Sequence, residues 1–211
     1  MPDLPAAAAT TPQYEKLRLA VRYWLLGRGY TTALKAMEFA AGHHTGTRKD
    51  GSPEFSHQVW QVAYLRTLEP MLLHPEATIA TVFLHDVIED YPVAPDELTQ
   101  RFGPLIGEAS ERMAKVVEGD KKTSSAYFTT LADCPIASVA KGVDRIHNHQ
   151  TMKGAFSAIK QVDYMGETEA DILPMLKAAR RSYPEQEPVY ENIKHILISQ
   201  LELYRYALEA A

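Results

Sequence analysis

The chain has 211 residues, is 45% apolar and 23% charged, and carries a formal net charge of −5. Those figures suit one globular domain with a core and exclude a disordered chain. The acid excess argues against a surface built to coat nucleic acid, though not against a small anionic ligand.

Residues 1–12 are rich in Ala, Pro and Thr and lack a basic stretch ahead of the alanines. They read as a flexible tail, not a secretory signal, before a domain spanning 13–211. Apolar residues then recur at helical spacing almost throughout, which predicts an all-α fold. A first helix is expected over Pro12–Leu26, with Thr11 as cap and Gly27 and Gly29 as its stop. A second runs from Thr31 to about Gly42, with Leu34, Met37 and Phe39 inward. The segment Thr45–Pro53, with two glycines and a proline, is a loop. Helix returns over Phe55–Leu73, bent or interrupted near Pro70, and again from Pro75 to a stop before Pro92. Further helices are predicted at Pro95–Phe102, Pro104–Val117, Ser124–Asp133, Pro135–Thr151, Thr168–Ser182 and Pro188–Ala210. No alternating strand pattern is found. The longest apolar run, Ile79–Leu84 broken by Thr81, is too short to span a bilayer. Cys134, the single cysteine, excludes an internal disulfide framework, fits a reducing cytoplasm, and reads as a small buried hydrophobe.

The chemistry lies in where histidines and carboxylates fall on these helices. His85 and Asp86 interrupt the apolar run A-T-V-F-L-H-D-V-I-E-D. Glu89 and Asp90 follow one turn later, so all four polar groups share a broad face. Three acids and an imidazole there would repel one another without a cation. In the helix from Pro135, Lys141, Asp144, Asn148 and Thr151 form a polar stripe opposite Ile136, Val139, Val143 and Ile146. His57 opens another helix directly after the Gly/Pro loop. His57, His85, Asp86 and Asp144 can converge on one cation, and that mixed N/O set suits Mn²⁺, Fe²⁺ or Zn²⁺. Glu89 and Asp90 would then share protons as a coupled pair. Lys49, Lys121, Lys122, Lys141 and Arg145 are candidate cations for a polyanionic ligand, although Lys121–Lys122 reads first as a solvated loop. The stripe of Tyr190, Tyr204 and Tyr206 reads as helix packing.

Five stretches resemble the HD phosphohydrolase superfamily, and within it the alarmone hydrolases of the stringent response. They are A-M-E-F-A-A-G-H-H-T-G-T-R-K-D-G-S-P-E-F-S-H at 36–57, T-I-A-T-V-F-L-H-D-V-I-E-D at 78–90 and R-F-G-P-L-I-G at 101–107. V-V-E-G-D-K-K at 116–122 and V-A-K-G-V-D-R-I-H-N-H-Q-T-M at 139–152 complete the set. The length leaves no room for synthetase and regulatory domains, so the likeness is to the small, hydrolase-only branch, which includes members paired with toxic synthetases.

The resemblance implies a single HD-type, metal-dependent phosphohydrolase domain that cleaves the 3′-pyrophosphate from ppGpp or pppGpp. It implies Mn²⁺ on His57, His85, Asp86 and Asp144, with Glu89 and Asp90 orienting or deprotonating water. Arg48 would lie against the guanine, where a planar guanidinium can stack. Lys49 would lie near the phosphates, and Asn148 with Thr151 at the ribose and 3′-phosphate. Lys141 would add charge beside the substrate. Gln58 stands where the family usually has proline. Asp50, Gly142-Val143 and His149-Gln150 also depart from its pattern, and none of these is a proposed ligand. The alternatives are hydrolysis of another 3′-phosphorylated nucleotide, such as a modified tRNA 3′ end, and a non-catalytic antitoxin acting by contact with a cognate synthetase.

Overall fold

A computed structural model describes residues 12–49, 51–117, 119–153 and 155–209, and the all-α expectation holds. The expected tail and the Thr11 cap fall outside the described residues, as does Asp50. Helix α1 (Pro12–Arg28) runs through Gly27 and stops at Gly29, whose φ of 72° is left-handed and favours glycine. Helix α2 (Thr31–His43) buries Ala33, Ala36, Met37 and Ala40, while Leu34 and Phe39 are only half-buried.

One predicted helix is interrupted as expected, just before Pro70, and another is broken where no break was expected. The stretch expected over Phe55–Leu73 is α3 (Ser56–Leu65), a turn, and a 3₁₀ turn at Glu69–Met71. The turn carries Glu69 into the interior, where its carboxylate accepts from the Arg28 guanidinium and the Tyr30 hydroxyl. The stretch after Pro75 is α4 (Pro75–Leu84) and the single turn α5 (Val87–Asp90), with the break at His85-Asp86. There the Val82 carbonyl, which a continuing helix would give to the Asp86 amide, accepts from His85 Nδ1 at 2.8 Å.

Helices α6 (Pro95–Phe102) and α7 (Pro104–Met113) pack tightly around Gly107, the last residue of R-F-G-P-L-I-G. A Cβ on Gly107 would lie 2.7 Å from the Thr99 Cα, a backbone atom that cannot swing aside. Gly107→Ala should therefore destabilise the fold by about 1–3 kcal/mol. An unchanged urea midpoint would refute this reading of the contact.

Helix α7 stops short of Val117. The chain there forms a two-residue antiparallel ladder, β1 (Val116–Val117) with β2 (Asp120–Lys121), which the sequence pattern did not predict. Helix α8 (Ser124–Ala132) follows, then α9 (Pro135–Thr151). Cys134 is half-buried and caps α9, its Sγ accepting from the Ala137 amide, so it is not the buried hydrophobe expected.

Helix α10 (Ala158–Glu167), capped by Ser157, was not anticipated. It continues through a π-helical turn (Thr168–Ile172) into α11 (Leu173–Ser182). A 3₁₀ turn (Pro184–Gln186) leads into α12 (Glu187–Glu209).

The core sits between α4 and α9. Helix α4 packs against α2, α3, α7 and α9, and α9 against α3, α7, α8, α11 and α12 as well. Residues 78–84 of α4 are all buried, as an all-round apolar helix requires. Gly142 lets α9 approach α11 and α12, since a Cβ there would lie 2.8 Å from Ile193 and 3.2 Å from Leu176. The same α9 buries Ile136, Val139, Val143 and Ile146 as expected. Tyr190 is core and Tyr204 half-buried, but Tyr206 is exposed and does not pack. Among the described residues no helix is long and apolar enough to cross a membrane.

Candidate metal centre and active site

The break in the helix after Leu84 and the polar face of α9 meet the start of α3. There His57, His85 and Asp144 each present a ligand atom, all within 4.8 Å of one another and all buried. His57 Nε2 lies 3.1 Å and His85 Nε2 3.6 Å from Asp144 Oδ1. Asp86 stands beside this trio, its Oδ2 3.0 Å from His85 Nε2, and its side chain is partly exposed. Asp144 is further held by Lys141 Nζ at 3.0 Å and by the Asn148 amide, which donates at 2.8 Å.

These residues fit a divalent cation on three counts. His85 donates from Nδ1 to a backbone carbonyl, which fixes the tautomer and turns Nε2 into the cluster. That buried Nε2 makes no well-formed hydrogen bond despite the two nearby carboxylates. The electrostatics agree. Burial pulls the His85 imidazole down, yet Asp86 and Asp144 outweigh it and push it up to about 10. Without metal the cluster therefore retains a proton where a cation would relieve the same charge. His57 is lowered by burial, and Asp144 is held well below the carboxylate range by Lys141 and the two imidazoles, against the effect of burial.

Beyond the cluster, a cavity of about 260 Å³ is lined by Arg48, Glu89, Asp90, Lys141 and Asn148 together with the candidate ligands. Glu89 is exposed, and its Oε2 accepts from the Lys115 backbone amide at 3.1 Å. The Asp90 carboxyl is raised to about 6 by desolvation, with Asp86 and Glu89 adding to the effect. Lys49 and Thr151 line an adjoining cavity of about 210 Å³, which shares Arg48 with the first. The Arg48 guanidinium donates to Thr151 Oγ1 at 3.4 Å.

Two of the candidate cations already have protein partners, although Arg145 also lines the cavity. Lys122 Nζ donates to the Glu111 and Ala114 carbonyls, at 2.7 and 2.8 Å. Arg145 is buried and paired with Glu167. The Lys121 side chain lies outside the described residues.

The structure also adds residues that sequence reasoning passed over. His147 Nδ1 lies 2.7 Å from His57 Nδ1, on the far side of the ring from Asp144. Gln61, one turn after His57, places its amide 3.4 Å from Asp144 Oδ1. Lys115, Tyr164 and Glu167 line the cavity, with Lys115 Nζ donating to Glu167 at 2.7 Å. His147 stands within the D-R-I-H-N-H-Q-T run and Gln61 at i+4 from His57, so both had a local signal. The other three come from segments with none.

Comparison with known proteins points the same way. No family model matches the chain. A 154-residue stretch is 30% identical to the GTP pyrophosphokinase rsh of Brucella melitensis, covering 66% of this chain and 19% of that protein. Another, of 148 residues, is 30% identical to a probable guanosine-3′,5′-bis(diphosphate) 3′-pyrophosphohydrolase of Synechocystis, covering 63% and 18%. The chain thus spans about a fifth of the length of the curated relatives it matches. A solved structure, described as a metazoan orthologue of SpoT that hydrolyses ppGpp, superposes with a TM-score of 0.61 at 16% identity. The match covers 82% of this chain and 96% of that one. About two thirds of the chain is thus similar in sequence to these curated proteins, and the chain shares the fold of the solved structure.

Proposed function

We propose that this protein is a 3′-pyrophosphohydrolase acting on guanosine 3′-diphosphates that carry a 5′-di- or triphosphate. The observation that carries the reading is the meeting, in one cavity, of the His57–His85–Asp144 cluster with Glu89, Asp90, Arg48, Lys141 and Asn148. In it, His57, His85, Asp86 and Asp144 hold a divalent ion, for which Mn²⁺ is the first choice and Fe²⁺ or Zn²⁺ the alternatives. When bound, such an ion offsets phosphate charge and makes water more acidic.

The chain's own residues do the rest. Asp90, with a carboxyl near 6, and its neighbour Glu89 accept the proton of the attacking water. The new bond forms from water oxygen to the phosphorus on O3′, and the P–O3′ bond breaks. The 3′ oxygen leaves with a proton, and pyrophosphate is released. Lys141 faces the developing negative charge, Asn148 and Thr151 position the ribose end, Arg48 stacks on the base, and Lys49 meets phosphate.

The test is product analysis with Mn²⁺ and guanosine tetraphosphate, beside Asp86→Ala. Metal-dependent release of intact pyrophosphate, lost in the variant, is the expected result. A folded, metal-loaded protein without turnover would overturn the reading. It would turn attention to a tRNA 3′ end or to contact neutralisation of a synthetase.

A further inference from the structure

Two glutamines of α3 are buried beside the His/Asp cluster, each 1% exposed, and the chemistry above uses neither. Gln58 follows His57 directly, and Gln61 lies one helical turn after it. Each keeps a buried carboxamide oxygen, Oε1, that accepts no hydrogen bond. Buried acceptors without a donor are uncommon in folded proteins, and one beside a candidate ion site has a natural partner in the ion.

The two amides differ in what they reach. Gln58 Nε2 lies 3.3 Å from His44 Nε2 and 3.5 Å from Asp86 Oδ2, so it touches the ligand set only at its edge. Gln61 reaches further in, its Nε2 2.5 Å from His57 Nε2 and 3.4 Å from Asp144 Oδ1. Those two atoms belong to the cluster and are themselves 3.1 Å apart. On the other edge of the His57 ring, Nδ1 lies 2.7 Å from His147 Nδ1. With the His57 proton shared there, Nε2 carries the lone pair, which takes either an amide N–H or a cation. A carboxamide has two ends of nearly equal size, and a half-turn about its last torsion exchanges them. That half-turn sets Oε1 of Gln61 where Nε2 stands, beside His57 Nε2 and Asp144 Oδ1. Donor atoms about 2.1 Å from one ion stand about 3 Å apart at right angles, so the position is that of a shared ligand. The exchange leaves Nε2 unpaired in place of Oε1, and is favoured only when an ion takes the oxygen.

We infer that Gln61 is a further donor to the divalent ion, giving its carboxamide oxygen alongside His57, His85, Asp86 and Asp144. This rests on the reading of the cluster as an ion site, but not on which nucleotide is hydrolysed, and it is tested without turnover.

The experiment titrates Mn²⁺ into the full chain by calorimetry and records the visible spectrum of the Co²⁺-loaded protein. It compares wild type, Gln61→Leu and Gln61→Glu, with urea midpoints in chelator to establish that each is folded. Gln61→Leu keeps the volume but offers neither oxygen nor N–H. It should weaken Mn²⁺ binding by roughly tenfold to a hundredfold and shift the Co²⁺ bands. Gln61→Glu keeps the oxygen and loses the N–H, and should bind Mn²⁺ at least as tightly as wild type. An amide that only orients Asp144 through its N–H predicts the reverse, since a carboxylate cannot donate to Asp144 and repels it. A Gln61→Glu variant as weak as Gln61→Leu, a Gln61→Leu affinity equal to or above wild type, or Co²⁺ bands that Gln61→Leu leaves unmoved would each overturn the inference. Wild type that binds neither ion would overturn it together with the ion site. If the variants behave as expected and guanosine tetraphosphate is still not hydrolysed, the hydrolase reading fails and Gln61 stands as a ligand.

Discussion

Asp144→Asn should abolish divalent-metal binding and lower turnover by on the order of 10³-fold or more. The substitution keeps the shape of the side chain but removes the charge that meets five neighbours at once. His57 Nε2, Lys141 Nζ, the Asn148 and Gln61 amides and His85 Nε2 all lie within 3.6 Å of its two oxygens. With the carboxylate gone, two imidazoles and the partly exposed Asp86 remain, too few anionic donors to hold a dication in a mostly buried site. Lys141 would also lose its only ion pair among the described residues, so the metal-free variant should unfold at lower denaturant, by about 1–3 kcal/mol. Calorimetric metal titration checks the first effect and urea denaturation in a chelator the second. Undiminished metal affinity would remove Asp144 from the ligand set.

Glu167→Gln tests the other wall of the cavity and should cost about 3 kcal/mol at neutral pH. Burial raises the Glu167 carboxyl, but Arg145 and Lys115 more than reverse this and hold it at about 2, against an ordinary 4.5. The Arg145 side chain is only 3% exposed, so its charge cannot fall back on water when its partner is neutralised. A depressed carboxyl contributes stability that is complete above its unfolded value and is lost as pH falls through its folded one. The gap between wild type and Glu167→Gln should therefore be full at pH 7, fall to less than half by pH 3, and close near pH 2. Urea midpoints across that range decide it. A gap independent of pH would mean that the loss comes from packing and not from the ion pair.

The His/Asp cluster was legible because its residues violate their surroundings. His85 and Asp86 interrupt an apolar run, and Lys141, Asp144, Asn148 and Thr151 recur at helical spacing on a helix whose other face is apolar. The helix break at His85 was not legible, because it depends on one side chain taking a carbonyl from the backbone ladder. Helix α10 was missed for a different reason. Its apolar residues Ile159 and Val162 are 77% and 53% exposed, so its pattern does not mark a core-facing stripe. Lys115 and Glu167 carry no signal of their own, since what places them is a tertiary pair between the end of α10 and the segment before β1. The likeness to the alarmone hydrolases pointed to the helices that carry the His/Asp cluster but said little about this wall, where the chain's own contacts decide the shape.

The π turn at Thr168–Ile172 acts on that wall as a phase setting. A π turn holds one more residue than a regular turn, so the helices on either side of it are rotated relative to each other. On one side Tyr164 and Glu167 point into the cavity, and on the other Met175, Leu176 and Ala179 point into the core. Thr168, fully buried, pins the junction by donating to the Tyr164 carbonyl and meeting His149 at 3.0 Å. Deleting one residue there would give an unbroken α-helix and turn α10 by about 100°. Glu167 would swing away from Arg145, and Lys160 would leave the Phe156 ring that it now lies against. The length of this turn in residues therefore helps set the shape of the cavity.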